Sequence, residues 1–301
     1  MLTYVRLLKR LKSKSGKGLH IYALFIDFKS AYNTIKHSIL FERLKNILEK
    51  DEIEFLKALY SRVTLCLGKE KFVPNVGVAQ GSIISPALFN IYIEDLLKKL
   101  ENLNINIEDL FAYADDLLIL CYSPSELHNT IIAISNWCEL NSLKLNTLKS
   151  GILEVLPRKG NIRPNLQVDS KFNNIPIVDT YKYLGVIFEQ KLTHKSHLKW
   201  LKSRFTFLSI KLSPILRQIS LKYSYNLWQI LIKLLLDPLS ILGALETAKC
   251  HKDNIERLFR YSLKLFLKLG TTTPTETLSF ISGYNILTRG HILVDDAMKR
   301  W

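Results

Sequence analysis

Two adjacent carboxylates, Asp115 and Asp116, interrupt the apolar segment LFAYADDLLIL, which runs from Leu110 to Leu120. Removing an ionised carboxylate from water costs several kcal/mol, and a second one beside it adds repulsion. This segment can therefore fold only if the acids lie in a solvent-exposed turn or if cations neutralise them. The apolar runs on both sides predict a β-hairpin with the acids at or just before its turn. Because successive strand side chains face opposite ways, the two acids are not equivalent, and we expect Asp115 to be the firmer ligand.

Apolar runs of strand length alternate with helical patterns through the first 190 residues and predict an α+β domain. From Lys191 onward helical spacing dominates, with apolar and basic residues interleaved, which predicts a helical, basic domain. The N-terminus is basic but lacks the apolar core and cleavage site of a signal peptide. We expect neither a signal peptide nor a membrane span.

The net charge of +15 is unevenly distributed. Residues 1–20 carry six basic side chains and no acid, residues 181–301 carry 19 basic against 8 acidic, and the middle carries 17 against 19. A near-neutral middle between basic ends suits a polyanion, because Lys and Arg that neutralise phosphates release counterions. The alternative is a solvated basic surface.

The four cysteines are scattered along the chain and show no zinc-ligand spacing. They are Cys66, Cys121, Cys138 and Cys250. This pattern predicts reduced thiols in an intracellular, reducing compartment.

A third acid, Asp27, ends the apolar run IYALFI and precedes a helical pattern. A carboxylate in this place either projects into a cleft or marks a turn. If its strand lies beside the hairpin, three carboxylates converge, and such oxygen ligands suit Mg²⁺. Two Mg²⁺ ions roughly 3.5 to 4 Å apart support the in-line displacement of a phosphoryl group.

A glycine-containing loop, Gly77 to Gly81, precedes a helical pattern with Ser85 as the expected N-cap and Pro86 as the first helical residue. The glycines let the backbone approach a ligand closely, and Gln80 between them offers both a donor and an acceptor. The alternative is a loop that only leads into a packed helix.

Five segments resemble, in order, the sequence blocks of the reverse transcriptase palm. They are DFKSAY (27–32), the loop and helix start GVAQGSIISPALF (77–89), YADD (113–116), LKLNTLKSGIL (143–153) and YKYLGVIF (181–188). The chain is most similar to reverse transcriptases of non-LTR retrotransposons (LINE-like elements). The resemblance implies an α+β right-hand polymerase fold, with an antiparallel palm sheet, a catalytic hairpin and flanking helices, followed by a helical thumb. It implies a basic fingers remnant over residues 1–20, a palm with partial fingers elements over 21–190 and a basic thumb or C-terminal region over 191–301.

The resemblance also assigns roles to residues. Asp27 and Asp115 correspond to the metal-binding carboxylates, Asp116 is the adjacent acid and the Phe28 backbone is a secondary ligand. Tyr32 matches the residue that stacks on the sugar and excludes a ribose 2′-hydroxyl. Gln80 and Gly81 match the loop that contacts the nucleotide and template. Lys149 matches a lysine that protonates the leaving pyrophosphate or steadies the triphosphate, with a solvated surface lysine as the alternative.

Further implied contacts involve nucleic acid. Tyr183, Leu184 and Gly185 fall where the family holds the primer end. Basic side chains of the helical region suit the phosphates of a template–primer duplex; they are Lys199, Lys202, Arg204, Arg257 and Arg260. The implied partners are an RNA template, a DNA primer and deoxynucleoside triphosphates. The implied cofactors are two Mg²⁺ ions, with Mn²⁺ as a substitute, and the implied site of action is the nucleus.

One departure from the family concerns the fingers. Only 26 residues precede Asp27, and no full fingers region or endonuclease is recognisable. The basic N-terminal segment could be the tail of that region, with Arg6, Lys9 or Arg10 as weak stand-ins for the missing triphosphate-binding residues, but it shows no convincing match to the missing blocks. Two interpretations other than an RNA-directed polymerase follow: a catalytically dead or domesticated nucleic-acid-binding remnant of an element, and a DNA-templated polymerase with similar palm chemistry.

Overall fold

The computed structural model describes residues 2–67, 69–158, 163–231, 257, 260–270 and 272–282. The chain forms two compact units. The first consists of residues 2–181 with 189–192, and the second of residues 182–188 with the described residues from Thr193 onward. Part of the expected thumb, including residues 232–256 with Cys250, lies outside the described residues.

The first unit alternates helices and strands. Its elements are α1 (Leu2–Gly16), β1 (Ile21–Ile26), α2 (His37–Leu44), α3 (Lys50–Ser61), β2 (Leu65–Leu67), β3 (Glu70–Phe72), α4 (Ser85–Asn102), β4 (Leu110–Tyr113), β5 (Asp116–Cys121), α5 (Pro124–Leu140), β6 (Gly151–Val155), β7 (Lys171–Phe172) and β8 (Ile175–Val178). Strands β9 (Thr180–Tyr183) and β10 (Val186–Glu189) follow and form a separate two-stranded sheet.

The main sheet has six strands in the order β4-β5-β1-β6-β8-β7. All of its neighbouring pairs are antiparallel except β6 and β8, which run parallel. The prediction of a mixed α+β fold with a largely antiparallel sheet is therefore confirmed. Strand β1 occupies an inner position between β5 and β6, and all six of its residues are buried, which explains its continuous apolar run.

One face of this sheet carries the main core. Alternate residues of β1 and β5 point to this face, among them Leu24 and its partner Ile119. They share the core with the buried stripe of α4 and with α5. The α4 stripe consists of Leu88, Tyr92, Leu96 and Leu100.

The opposite face of the sheet is covered by α1 and by an aromatic side chain from β9. The Arg6 guanidinium lies 5.1 Å from the centroid of the Phe111 ring on β4. The ring of Tyr181 stacks on Phe25 at a centroid distance of 4.0 Å. Phe25 and Phe111 both pair with Leu118, so they face the same side of the sheet. Asp27 lies two residues after Phe25 and Asp116 two residues before Leu118. Because alternate residues of a strand face the same side, both acids belong to this second face.

From Lys195 onward, the described residues of the second unit are mostly helical. Helix α6 (Lys195–Gln218) is followed by helical residues 221–231 and 260–266 and by helix α7 (Thr275–Ser282). The two middle stretches pack through Trp228, whose indole N–H donates to Ser262 Oγ at 2.9 Å. None of the helices in the described ranges combines the length and apolar character that a bilayer crossing requires.

Candidate active site

The three aspartates of interest lie at the ends of two paired strands. The register Ile26↔Leu117 is the last pair between β1 and β5, so the next position along places Asp27 level with Asp116. On the other side of β1, Phe28 bridges Leu145 and the Asp27 carbonyl accepts from the Asn146 N–H, so Asp27 faces the turn over residues 146–150. This turn carries Lys149, whose charge acts on Asp116. Facing residues of paired strands point to the same side of a sheet. The sheet therefore brings two carboxylates and a lysine to one edge.

Asp27 is held in place by the segment that follows α5. Its main-chain N–H donates to Ser150 Oγ at 3.1 Å, and its C=O accepts from the Asn146 N–H at 2.8 Å. The Asn146 side-chain amide donates to Asp27 Oδ2, also at 2.8 Å. A residue fixed through both its backbone and its carboxylate has few free rotamers, which suits a preorganised ligand. Asn146 was not identified as a site residue from the sequence, although it lies within the LKLNTLKSGIL block.

Asp115 and Asp116 sit in different backbone settings. Tyr113 pairs with Asp116, so the hairpin turn consists of Ala114 and Asp115, and Ala114 has a positive φ of 53°. Both acids are half-buried. Burial raises the pKa of Asp116, the charges of Asp115 and Asp27 raise it further, and Lys149 lowers it. The four side chains therefore interact electrostatically, and the cluster favours a bound cation.

Replacing Asp116 by Asn should stabilise the fold. The raised pKa means that the folded state holds its proton more tightly than the unfolded state, so stability falls as pH rises from the ordinary Asp value of about 3.9 towards the folded value. We expect Asp116→Asn to be more stable than the wild type at pH 7.5 by up to about 1 kcal/mol, a figure limited by solvent screening. Thermal unfolding without divalent ions measures this, and the difference should vanish below pH 4.

The matched control for this change is Asp179→Asn, which removes an exposed charge from the same unit. Its stability should equal that of the wild type. An Asp116→Asn variant that is no more stable than the wild type at pH 7.5 would contradict the repulsion inferred for this cluster.

Tyr32 lies beside the acids. Its ring stacks on the buried Phe89 at 5.2 Å, and its pKa is raised by burial and by the charge of Asp115. The N–H of Val78 donates to the Tyr32 carbonyl at 2.8 Å, which attaches the glycine-containing loop to this segment. Tyr32 and Asp115 are therefore neighbours in space as well as in the predicted site.

The loop itself is exposed where Gln80 and Gly81 lie. The Gln80 amide donates to Asn33 Oδ1 at 3.4 Å, which connects the loop with the turn that follows β1. Gly81 has a φ of 87°, a conformation that other residues rarely adopt. Gly77 has a φ of 92°, and a Cβ there would lie 3.3 Å from the Asn33 carbonyl oxygen, so this position requires glycine.

The predicted start of α4 is wrong by one residue. Ile84 is the N-cap, Ser85 is already helical and Pro86 is the second helical residue. The Ser85 hydroxyl donates to the Ala79 carbonyl at 2.6 Å instead of capping the helix. Ser85 therefore stabilises the loop that carries Gln80.

The Phe28 backbone lies between the segment that follows α5 and the β5 side of the sheet. Phe28 forms an isolated antiparallel bridge with Leu145, flanked by hydrogen bonds from Lys29 to Lys144 and from Asn146 to Asp27. Because main-chain groups alternate sides along an extended segment, the Phe28 carbonyl is directed away from Leu145, towards the β5 side. The ring itself is buried.

Arg6 and Arg10, the possible stand-ins for triphosphate-binding residues, have protein partners in the structure. The Arg10 guanidinium pairs with both oxygens of buried Asp109, at 2.7 and 2.9 Å, and with Glu108 at 2.6 Å. Arg6 donates to the carbonyls of Ile107 and Leu110. Both arginines bind α1 to the start of β4, so their charges serve the fold. Lys9 is exposed.

The residues predicted to contact nucleic acid belong to the second unit. Leu184 and Gly185 form the turn between β9 and β10, both with positive φ, whereas the Tyr183 ring is buried. Four of the five basic candidates are exposed, namely Lys199, Lys202, Arg204 and Arg257. Arg260 is half-buried and donates to Thr275 Oγ1 at 3.3 Å, which makes it a weaker candidate.

Known proteins share sequence similarity with this chain. The family model for reverse transcriptase (RNA-dependent DNA polymerase) matches residues 4–188. The chain is 24% identical over 257 residues to the RNA-directed DNA polymerase of the mobile element jockey of Drosophila melanogaster, covering 80% of this chain and 28% of that protein. It is 28% identical over 202 residues to a Pol polyprotein of the retrotransposable element R2 of Popillia japonica, covering 59% of this chain and 28% of that protein. The predicted similarity to non-LTR retrotransposon reverse transcriptases is confirmed.

A solved structure shares the fold. It is the telomerase from Candida tropicalis in complex with a TWJ fragment of telomeric RNA, with a TM-score of 0.50 and 14% identity, covering 98% of this chain and 52% of that one. The chain spans 28% of the length of the jockey and R2 proteins, so it corresponds to one part of those polypeptides. Because the family model covers more than half of the chain, the protein belongs to the reverse transcriptase (RNA-dependent DNA polymerase) family.

Proposed function

We propose that this chain catalyses RNA-directed DNA synthesis, in which it adds deoxynucleotides to the 3′-hydroxyl of a DNA primer. The observation that carries the proposal is the meeting of Asp27, Asp115 and Asp116 at the ends of β1 and β5, where the charges of Asp115 and Asp27 add to burial in raising the pKa of Asp116. Such a cluster is stable in its ionised form only with cations nearby. Phosphoryl transfer requires that placement of charge around the reacting phosphate.

The proposed reaction is a nucleotidyl transfer. The primer 3′-oxygen attacks the α-phosphorus of a deoxynucleoside triphosphate, and its proton passes to water. The bond from the α-phosphorus to the bridging oxygen breaks, and pyrophosphate leaves with that electron pair. Lys149 is proposed to donate a proton to the leaving pyrophosphate or to neutralise its charge. It is exposed, and it lies close enough to Asp116 to lower the pKa of that acid.

The oxygen ligands at this site fit Mg²⁺ ions that also bind water and the phosphates of the substrate. Within the described residues, no group of three or more His, Cys, Asp or Glu side chains is arranged to hold a metal by itself. Mg²⁺ commonly binds one or two carboxylates and completes its shell with water and substrate phosphates. We propose Asp27, Asp115, Asp116 and the Phe28 carbonyl as the protein ligands. Two bound Mg²⁺ or Mn²⁺ ions would stabilise charge on the attacking and leaving oxygens.

Tyr32 is proposed to select deoxynucleotides. Its ring is braced against Phe89 and lies next to Asp115, so it can fill the space beside the nucleotide sugar. We expect Tyr32→Ala to lower the preference for deoxynucleotides over ribonucleotides by about 10- to 200-fold, the range for one added group in a pocket. Single-nucleotide incorporation with each substrate measures the ratio. Tyr32→Phe keeps the ring and should keep the preference, and a wild-type ratio in Tyr32→Ala would remove the assignment.

The helical region is proposed to act as a thumb that holds the template–primer duplex, and residues 21–190 as the palm with partial fingers elements. Exposed Lys199, Lys202 and Arg204 lie on α6, a helix that has no acidic residue. Their positions suit contacts to phosphates rather than to bases. The β9–β10 turn at Leu184 and Gly185 is proposed to support the primer end.

Duplex binding should therefore depend steeply on salt. If about six phosphates are neutralised, affinity falls by about 10³-fold between 50 and 200 mM salt. Replacing Lys199 and Lys202 with Gln should reduce the slope of log K against log salt by about 1.8. Fluorescence anisotropy of a labelled duplex measures both. Lys98→Gln, which changes an exposed lysine on α4 paired with Glu94, should leave the slope unchanged, and a flat wild-type response would remove the thumb assignment.

Template choice tests the proposed function. The protein is given the same DNA primer on an RNA template or on a DNA template of identical sequence, with Mg²⁺ and one deoxynucleotide at a time. We expect only the encoded nucleotide to be added, with the RNA template used efficiently. Addition confined to the DNA template would overturn RNA-directed synthesis in favour of DNA-directed synthesis.

A further inference from the structure

Tyr181 connects the strand β9 to the turn that carries Lys149. Its ring lies flat on Phe25, with an interplanar angle of 13°, and its hydroxyl donates to the Lys149 carbonyl at 2.6 Å. Phe25 lies two residues before Asp27 on β1. Tyr181 therefore contacts both the strand that leads to one carboxylate and the backbone of the proposed proton donor.

The sheet has no side chain at Gly151, where this ring packs. Gly151 is the partner of Phe25 in the register between β6 and β1, and a Cβ at Gly151 would lie 2.9 Å from Cδ2 of Tyr181. Any larger residue at this position would displace the ring. The glycine inside β6 is thus explained by the close approach of Tyr181, as expected for glycine within a strand.

The phenol is suited to act as a permanent donor. Burial raises the pKa of Tyr181 to about 12, and the charges of Asp116 and Asp27 act in the same direction. The hydroxyl keeps its proton at any pH used for polymerase activity, so the hydrogen bond to Lys149 persists. The same charges place Tyr181 within electrostatic range of the aspartate cluster.

The turn that bears Lys149 is held at both ends. At its start, Asn146 bonds to Asp27 through its backbone and its side chain. At its end, the Lys149 N–H donates to the Asn146 carbonyl at 3.0 Å and the Lys149 carbonyl accepts from Tyr181. We propose that Tyr181 is a positioning residue that fixes the backbone from which Lys149 reaches the leaving pyrophosphate. This inference rests on the proposed function of Lys149.

Tyr181→Phe tests the proposal because it keeps the stacked ring and removes only the hydroxyl. We expect kcat for nucleotide incorporation to fall roughly 3- to 10-fold, the range for one uncharged hydrogen bond, while KM for the nucleotide stays within about twofold. In a Lys149→Met background the same change should have no further effect, because the residue it positions is gone. Additive losses in the double variant would overturn the proposal.

Tyr92→Phe is the matched control. The buried Tyr92 hydroxyl also donates to a main-chain carbonyl, that of Asn141 at 2.7 Å, within the same unit. If Tyr92→Phe lowers kcat as much as Tyr181→Phe, the effect is general loosening and the proposal fails. If Lys149→Met matches the wild type, the role of Lys149 and the inference both fail.

Amide hydrogen exchange separates this inference from the proposed function, because it needs no activity. The amides of Lys149 and Ser150 both donate to the Asn146 carbonyl and should be protected in the wild type. We expect faster exchange at these two amides in Tyr181→Phe and not in Tyr92→Phe. Unchanged exchange would overturn the positioning role even if the wild type extends primers, and an inactive wild type with faster exchange in Tyr181→Phe would overturn the proposed function instead.

Discussion

Asp115→Asn should lower kcat for nucleotide incorporation by about 10³- to 10⁴-fold. A metal centre supplies several kcal/mol of transition-state stabilisation, and each 1.4 kcal/mol corresponds to a factor of ten in rate. Asp115 lies in the two-residue turn of the hairpin and is half-buried, so the amide fits without a packing change. We expect the melting temperature and duplex affinity to remain close to those of the wild type. Single-turnover extension of a labelled primer measures the rate.

The matched control is Asp179→Asn, which removes one exposed negative charge between β8 and β9. It should incorporate nucleotides at the wild-type rate, which separates a site effect from a change in net charge. Asp115→Asn activity within threefold of the wild type would contradict the assignment of Asp115 as a ligand.

Arg10→Met should destabilise the first unit by about 3 to 5 kcal/mol, the cost of leaving a buried carboxylate without its cationic partner. The change leaves the Asp109 carboxylate, whose side chain is only 3% exposed, with the Tyr122 hydroxyl as its remaining side-chain partner among the described residues. Burying an uncompensated charge is expensive because the protein interior solvates it poorly. Urea unfolding of the two proteins measures the difference.

Two further variants test the cause of this effect. Glu108 is the other carboxylate that contacts Arg10, and the Glu108 side chain is 62% exposed. Glu108→Gln should therefore lower the free energy of unfolding by less than about 1 kcal/mol. Arg10→Met combined with Asp109→Leu removes both charges and should recover most of the loss. If Arg10→Met instead keeps full stability and raises KM for the nucleotide, Arg10 contacts the triphosphate and its structural role is contradicted.

The local parts of the site could be predicted from the sequence because they depend on short-range patterns. Apolar runs on both sides of Ala114, Asp115 and Asp116 predicted two strands, and β4 and β5 pair around that turn. The run before Asp27 predicted a buried strand, and β1 is buried throughout. The sequence predicted that the three acids converge only if the strand before Asp27 lies beside the hairpin. Local patterns do not say which strands are neighbours, and in the fold β1 does lie beside β5.

The supporting residues could not be predicted because they act across long stretches of chain. Asn146 bonds to Asp27 from 119 residues away, and Arg10 bonds to Asp109 from 99 residues away. No local pattern marks such pairs. A basic N-terminus therefore suggested phosphate binding, whereas the fold uses two of its arginines to attach α1 to the sheet.

The position of Tyr181 had a weak signal in the sequence. A glycine inside a strand pattern, Gly151 in SGILEV, indicates close approach by another group. The sequence does not say which group approaches. The stacking of Tyr181 on Phe25 answers this, because the ring occupies the space that a Cβ at Gly151 would need.

Single-nucleotide extension by the unmodified chain tests the aspartate centre most directly. A DNA primer annealed to an RNA template is mixed with the protein, Mg²⁺ and the next encoded deoxynucleotide, and duplex binding is measured on the same samples. We expect the wild type to add one nucleotide, and Asp27→Asn to bind the duplex equally and add none. Equal binding with no extension by either protein, in Mg²⁺ or in Mn²⁺, would contradict catalysis and leave a protein that only binds nucleic acid.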